Sequence, residues 1–159
     1  MSRTSSVRTI FRAVTGHRQA ARHPEVVSER QLDLPVVIHT TADAARVALD
    51  LMRGRRQETT LALFLDDRHH LCGHIVLASS WVQAARLSAR PILTTAGSSR
   101  ASSVILVRYR HHGDAVATLA ERRSAGAIGA ACLRSHLPLH DHVVVIGGTG
   151  QYASAYWLR

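Results

Sequence analysis

Three short, uninterrupted apolar runs constrain what this chain can fold into. They occupy residues 61–65 (LALFL), 104–107 (VILV) and 143–146 (VVVI). A strand that is apolar at every position is typical of the interior of a sheet whose two faces are both covered. Segments with helical periodicity lie between the runs. The sequence therefore predicts an α/β fold in which helices flank a mixed, curved sheet.

Start and stop signals divide the segments around these runs. Thr40 and Asp43 have capping-box spacing and predict a helix over residues 43–52, which Gly54 ends. The VILV run is predicted to stop abruptly at Arg108. The other predicted elements are a return strand at 71–77, a short helix at 91–97 begun by a proline, a helix at 119–134, and a closing strand at 152–158 after a GGTG turn.

The size and charge of the chain limit the classes of protein it can be. Its 159 residues suit one compact domain, which we predict over residues 34–159. The formal net charge is +9, and all 20 basic residues are arginine, which is typical of coding bias in a GC-rich genome. No run approaches the roughly 18 apolar residues of a membrane-spanning helix, so no membrane association is expected. Cys72 and Cys132 are isolated, which favours a reducing, cytoplasmic location.

Residues 1–30 form a basic N-terminal extension, predicted to be either disordered or a short helix at 7–21. No acidic residue precedes Glu25, whereas five arginines do: Arg3, Arg8, Arg12, Arg18 and Arg22. An organelle transit peptide has this composition, as does a bacterial basic arm, and both alternatives stay open. The arm suggests a weak contact with nucleic acid.

The histidines invite a metal hypothesis, and their spacing argues against it at most positions. His69-His70 and His111-His112 are adjacent pairs, and adjacent residues of a regular strand cannot both face one metal ion. His140, Asp141 and His142 could supply ligands, but His142 immediately precedes a buried strand. We therefore predict structural roles for Asp141 and His142. The GGTG turn leads into a strand-like segment, so we predict a hairpin turn there and no phosphate cradle.

Residues 108–123 (RYRHHGDAVATLAERR) follow an apolar strand and resemble a known family. The pattern is similar to the RadC-like branch of the JAB/MPN metalloprotease fold in its short, JAB-only form. Residues 39–67, 89–107 and 141–154 continue the resemblance in order along the chain. It implies a single JAB/MPN-like (cytidine-deaminase-like) domain. In the family, two histidines and an aspartate hold a catalytic zinc ion, and an upstream glutamate is the general base.

Transferring these roles residue by residue changes what the resemblance implies. Glu58 falls on the general base, Thr118 on a family serine, and Glu121 on the aspartate ligand. The two histidine ligands fall on Arg108 and Arg110. Arginine offers no lone pair at neutral pH, so the zinc site is predicted to be lost and no cofactor is expected. Glu58, Arg108, Arg110 and Thr118 are then expected to form an ion-pair cluster or, alternatively, an anion pocket.

Three functional hypotheses follow. The first is a catalytically inactive domain that acts as a protein interaction or scaffold module with an unidentified protein partner. The second is a zinc-dependent, isopeptidase-like hydrolase that uses Glu58, Glu121 and nearby histidines. The third is nucleic-acid binding through the N-terminal arginines, in keeping with the naming of the RadC family as DNA-repair proteins.

Overall fold

The computed structural model describes residues 36–78 and 87–155. The predicted N-terminal extension, the predicted domain start at residue 34 and the last residues of the predicted closing strand lie outside these ranges. The described residues form the helices α1 (Thr41–Leu51), α2 (Arg90–Ser99) and α3 (Leu119–Arg134), and the strands β1 (Thr59–Leu65), β2 (Leu71–Ala78), β3 (Ser103–Arg110), β4 (Leu139–Ile146) and β5 (Tyr152–Ser154).

The five strands form one open, mixed sheet in the order β2-β1-β3-β4-β5. β1 pairs antiparallel with both β2 and β3, β3 pairs parallel with β4, and β4 pairs antiparallel with β5. The parallel β3–β4 pair is joined by α3, as a parallel connection requires a crossover. The predicted α/β class with a mixed sheet is confirmed.

Both faces of the sheet are covered. On one face, Ala44 and Ala48 of α1 pack in a core with Leu63, Val107 and Val143 from the central strands. The other face carries a second core, which α2 and α3 cover and to which Ile92, Ile128, Phe64 and Leu106 belong. All seven residues of β1 are buried, which confirms the two-sided burial predicted for the first apolar run.

The helix boundaries differ from the predicted ones by a few residues. α1 begins at Thr41 behind the Thr40 cap, and the capping box between Thr40 and Asp43 is present. It ends at Leu51, earlier than predicted, and Gly54 adopts its left-handed φ of 78° in the turn that follows. α2 is longer than predicted because left-handed Arg100, rather than Gly97, closes it.

The prediction that β3 stops at Arg108 is wrong. The strand continues through Arg110, and Arg108 is only 1% exposed. Strand prediction from hydrophobicity ends at the first charged residue, whereas this charge is compensated inside the protein. β4 likewise starts earlier than predicted, at Leu139.

The GGTG segment is a turn between β4 and β5, as predicted. The amide of Gly150 donates to the carbonyl of Ile146 (2.7 Å), and the amide of Ile146 donates to the carbonyl of Gln151 (2.8 Å). Gly147 lies against Tyr109, so close that a β-carbon there would stand 2.0 Å from the Tyr109 hydroxyl oxygen. Within the described ranges, no helix has the length and apolar character needed to cross a membrane.

Candidate functional site: a buried arginine–carboxylate cluster

The cluster is built where β3 ends and α3 begins. Arg108 and Arg110 are two residues apart in β3, so both side chains project from the face that α3 covers. Glu121 lies in the first turn of α3 and Glu58 directly precedes β1. Register brings Thr60 of β1 opposite Arg108. The structure thus brings together the residues that the sequence analysis placed at the family's catalytic positions.

Arg108 is the largest of the fully buried side chains in the described residues, and each of its nitrogens has an oxygen partner. Its Nε donates to Oε1 of Glu121 (3.1 Å), and its Nη1 donates to Oγ1 of Thr60 (3.4 Å). Nη2 forms an ion pair with the carboxylate of Glu58. Burial lowers the pKa of Arg108, and the two carboxylates oppose that shift by favouring the charged form.

Arg110 connects the same carboxylate to the loop between β3 and α3. Its Nη2 donates to both oxygens of Glu121, at 2.8 and 2.6 Å. Its Nη1 donates to the backbone carbonyls of Asp114 (3.2 Å) and Val116 (2.9 Å). Arg110 therefore fixes the loop as well as neutralising the carboxylate.

Glu121 is at the centre of the cluster, with a side chain that is 9% exposed. The backbone N–H of Thr118 donates to its Oε2 (2.7 Å), while the Glu121 N–H donates to Oγ1 of Thr118 (3.2 Å). This reciprocal pair is the capping box of α3. Burial alone would raise the pKa of Glu121, but the Thr118 amide and Arg110 outweigh it and hold the pKa below its usual value.

Asp141 and His142 lie at the start of β4. Asp141 accepts hydrogen bonds from the hydroxyls of Thr41 (2.8 Å) and Ser154 (2.5 Å) and from the amide of His142 (2.7 Å), so it joins α1, β4 and β5. His142 is 3% exposed, and its Nδ1 has no hydrogen-bond partner among the described residues. Burial lowers the pKa of His142, and Glu121 opposes the shift.

This fold and the order of its site residues correspond to a known family. The family model described as the RadC-like JAB domain matches residues 38–156. The chain belongs to the RadC-like JAB domain family. It is similar to a UPF0758 protein of Vibrio cholerae serotype O1, with 28% identity over 144 residues that cover 89% of each chain. The resemblance inferred from the sequence motifs is therefore confirmed.

The residues that the resemblance aligns with the family's zinc ligands offer few lone pairs to a metal ion. Two of the three are Arg108 and Arg110, whose guanidinium groups have no free lone pair to donate. The third position is Glu121, and Arg110 already donates to both of its oxygens. In the part of the chain that the structure describes, no three His, Cys, Asp or Glu side chains are arranged to hold a metal ion.

The sequence analysis missed one member of the cluster. Thr60 contributes a hydroxyl to Arg108, and nothing in the local pattern of a buried apolar strand marks it. The register of β1 against β3 is the signal that would have found it, because Thr60 is the cross-strand neighbour of Arg108.

Proposed function

We propose that this RadC-like JAB domain is a catalytically inactive member of its family that acts as a protein interaction or scaffold module. One observation carries the proposal: Arg108, at a zinc-ligand position of the family, is buried and paired with the carboxylates of Glu58 and Glu121. The carboxylate at the general-base position is thus held by a guanidinium group.

The charges of the cluster support a stable, metal-free state. Two guanidinium groups face two carboxylates, so the formal charges sum to zero without any ion. A dication bound in the cluster would be repelled by the guanidinium groups of Arg108 and Arg110. This repulsion is on the order of several kcal/mol at the effective dielectric constant of a protein. The carboxylates could offset that repulsion only by releasing their arginines.

The cluster also has a structural use. It joins β1, β3, the loop that follows β3 and the first turn of α3, which are the elements that surround a JAB active site by resemblance. Fixing this region keeps the surface around it in one conformation. A fixed surface suits recognition of a protein partner, because less side-chain and loop ordering opposes binding.

The proposal predicts that the purified full-length chain neither cleaves isopeptide-linked substrates nor binds zinc at the cluster. The assay combines hydrolysis of an isopeptide-linked peptide with zinc titration of chelator-treated protein. Comparison with Glu58→Gln and Glu121→Gln, each checked for folding by circular dichroism, identifies the site. Zinc-dependent hydrolysis, or stoichiometric zinc that either substitution abolishes, would instead establish the hydrolase.

The partner surface is proposed to include Val116 and Leu119, which flank the cluster and are 62% and 57% exposed. Apolar side chains in this position are available for contact with a protein. A partner that copurifies with the chain should be lost from the Val116→Asp, Leu119→Asp variant while the unfolding midpoint is retained. Two free cysteines, Cys72 and Cys132, agree with the proposed cytoplasmic setting.

Nucleic-acid binding is a second candidate, favoured by the five arginines that precede the first acidic residue, Glu25. Contacts with phosphates make affinity fall steeply with salt and depend little on sequence. The test compares the affinity of the full chain and of a chain lacking residues 1–30 for a duplex DNA at two salt concentrations. Equal affinities would exclude the arm as the binding element.

A further inference from the structure

Three histidines line a cleft at the opposite end of the sheet from the arginine cluster, on the face that α1 covers. The cleft has a volume of about 290 Å³, and its walls include His39, His69, His140 and Asp141. The ring centroids of His39 and His69 are 5.3 Å apart, and those of His69 and His140 are 5.5 Å apart. The histidines come from three separate segments of the chain, so the fold assembles them.

Backbone irregularities place two of these histidines. His69 has a left-handed φ of 62°, held because its N–H donates to the carbonyl of Asp66 (3.1 Å) and its carbonyl accepts from the amide of Ile38 (2.9 Å). His140 is the extra residue of a bulge in the β3–β4 pairing, where the register skips it. Left-handed non-glycine residues and bulges occur preferentially at functional sites.

The bulge has a visible effect on β4. Leu139 packs in the core beneath α3, and His142 projects to the same side although the two are three positions apart in the chain. The extra residue shifts the alternation of side chains, which turns Asp141 into the cleft. Without the bulge, His140 and Asp141 could not both line it.

The charge of the cleft favours a cation. Asp141 accepts hydrogen bonds only from neutral donors and forms no ion pair with another residue of the described chain. No arginine is among the residues that line the cleft.

We propose that His39, His69 and His140 bind a divalent transition-metal ion of the Zn²⁺ or Ni²⁺ type, with the Asp141 carboxylate beside it. Two imidazoles bound to one tetrahedral ion at about 2.1 Å have ring centroids roughly 5 Å apart, which is close to both observed spacings. The rings now lie tilted against one another, and in their present orientations no three His, Cys, Asp or Glu side chains of the described residues are arranged to hold a metal ion. His39 and His140 are exposed, so ion binding requires rotation of solvent-facing side chains and no change in the core.

This site is independent of the arginine cluster and would clip the start of α1 to the β1–β2 turn and to β4. The probe is Zn²⁺ alone, added by isothermal titration to chelator-treated, full-length protein at pH 7.5. We expect one site, and an affinity that falls about tenfold or more in each of His39→Gln, His69→Asn and His140→Gln, since even outer-shell changes cost that much.

The matched control is His136→Asn, because His136 is also left-handed (φ 56°) and exposed, and asparagine tolerates that conformation at both positions. It should leave zinc affinity unchanged. As a second readout, zinc should raise the unfolding midpoint of the wild-type chain and of the control but not of the three variants.

Absence of binding, or binding that none of the three substitutions weakens, overturns the proposal. Zinc that is lost in Glu121→Gln but kept in His69→Asn also overturns it, and in that case the inactive-domain proposal fails too. Zinc lost in His69→Asn but kept in Glu121→Gln supports the cleft site and leaves the inactive-domain proposal intact.

Discussion

Replacing Arg108 with methionine is expected to lower the free energy of unfolding more than most single substitutions in this protein. Methionine fills most of the volume of the arginine stem but provides no hydrogen-bond donor. Glu121, whose side chain is 9% exposed, would lose one of its two arginine partners, and Thr60 and Glu58 would lose theirs. Removing one partner of a buried ion pair costs about 3–5 kcal/mol, because the other charge remains buried.

The structure places this substitution at the lower part of that range, near 3 kcal/mol. Glu121 keeps Arg110 and the amide of Thr118, so its charge is still partly compensated. The ion pair with Glu58 adds little, since that side chain is 40% exposed and solvent screens the interaction. Glu58→Gln should accordingly cost less than about 1 kcal/mol.

The assay is urea unfolding of the wild-type chain, Arg108→Met, Glu58→Gln, Glu121→Gln and the double variant Arg108→Met, Glu121→Gln. The double variant should lose less stability than the sum of its two single changes, because each single change already breaks the ion pair between Arg108 and Glu121. If Arg108→Met were no more destabilising than Glu58→Gln, or if the double variant were additive, the cluster would not be a coupled buried unit and the reasoning would fail.

Four further predictions concern pH and packing. The pKa of Glu121 is lower in the folded than in the unfolded chain, so its stabilisation is present above the unfolded pKa and is lost as pH falls through the folded pKa. Below pH 4.5, the urea midpoint should therefore depend less on pH in Glu121→Gln than in the wild-type chain. Burial, with a smaller contribution from a nearby arginine, lowers the pKa of His74 from 6.5 to about 4. The free energy of unfolding should therefore fall by roughly 3 kcal/mol as pH drops from 6.5 to 4, because the unfolded chain takes up a proton that the folded chain does not. This decrease should be absent from His74→Gln. Gly147→Ala should destabilise by about 1–3 kcal/mol in the same assay, because its β-carbon meets the ring of Tyr109, which is only 4% exposed. Gly126→Ala, with open space around it inside α3, should instead stabilise by about 0.5–1 kcal/mol, and a loss there would contradict the reasoning.

The fold was predictable from the sequence where local chemistry decides it. The apolar runs located β1, β3 and β4, and the capping residue Thr40 located the start of α1 within two residues. The failures occur where a distant residue decides the structure. Arg108 extends β3 because carboxylates from a loop and a helix neutralise it, which no hydrophobicity window can detect.

The candidate sites divide in the same way. The arginine cluster could be anticipated because a family resemblance aligned Glu58, Arg108 and Glu121, which are far apart in sequence. The histidine cleft could not be anticipated from the sequence. In the sequence His140 stands beside Asp141 and His142, whereas its neighbours in the fold are His69 and, beyond it, His39. A bulge and a left-handed turn residue create that proximity, and neither has a distinctive sequence signal.

The coupling of Arg108 and Arg110 through one carboxylate also limits how this protein can evolve. A metal-binding histidine introduced at either position alone would leave Glu121 short of a buried positive partner, at a cost on the order of a few kcal/mol. Domains of this size have only about 5–15 kcal/mol of stability in total, so such an intermediate is exposed to selection. A series of single mutations that replaces the arginines with zinc ligands would therefore pass through less stable intermediates, unless both arginines changed together.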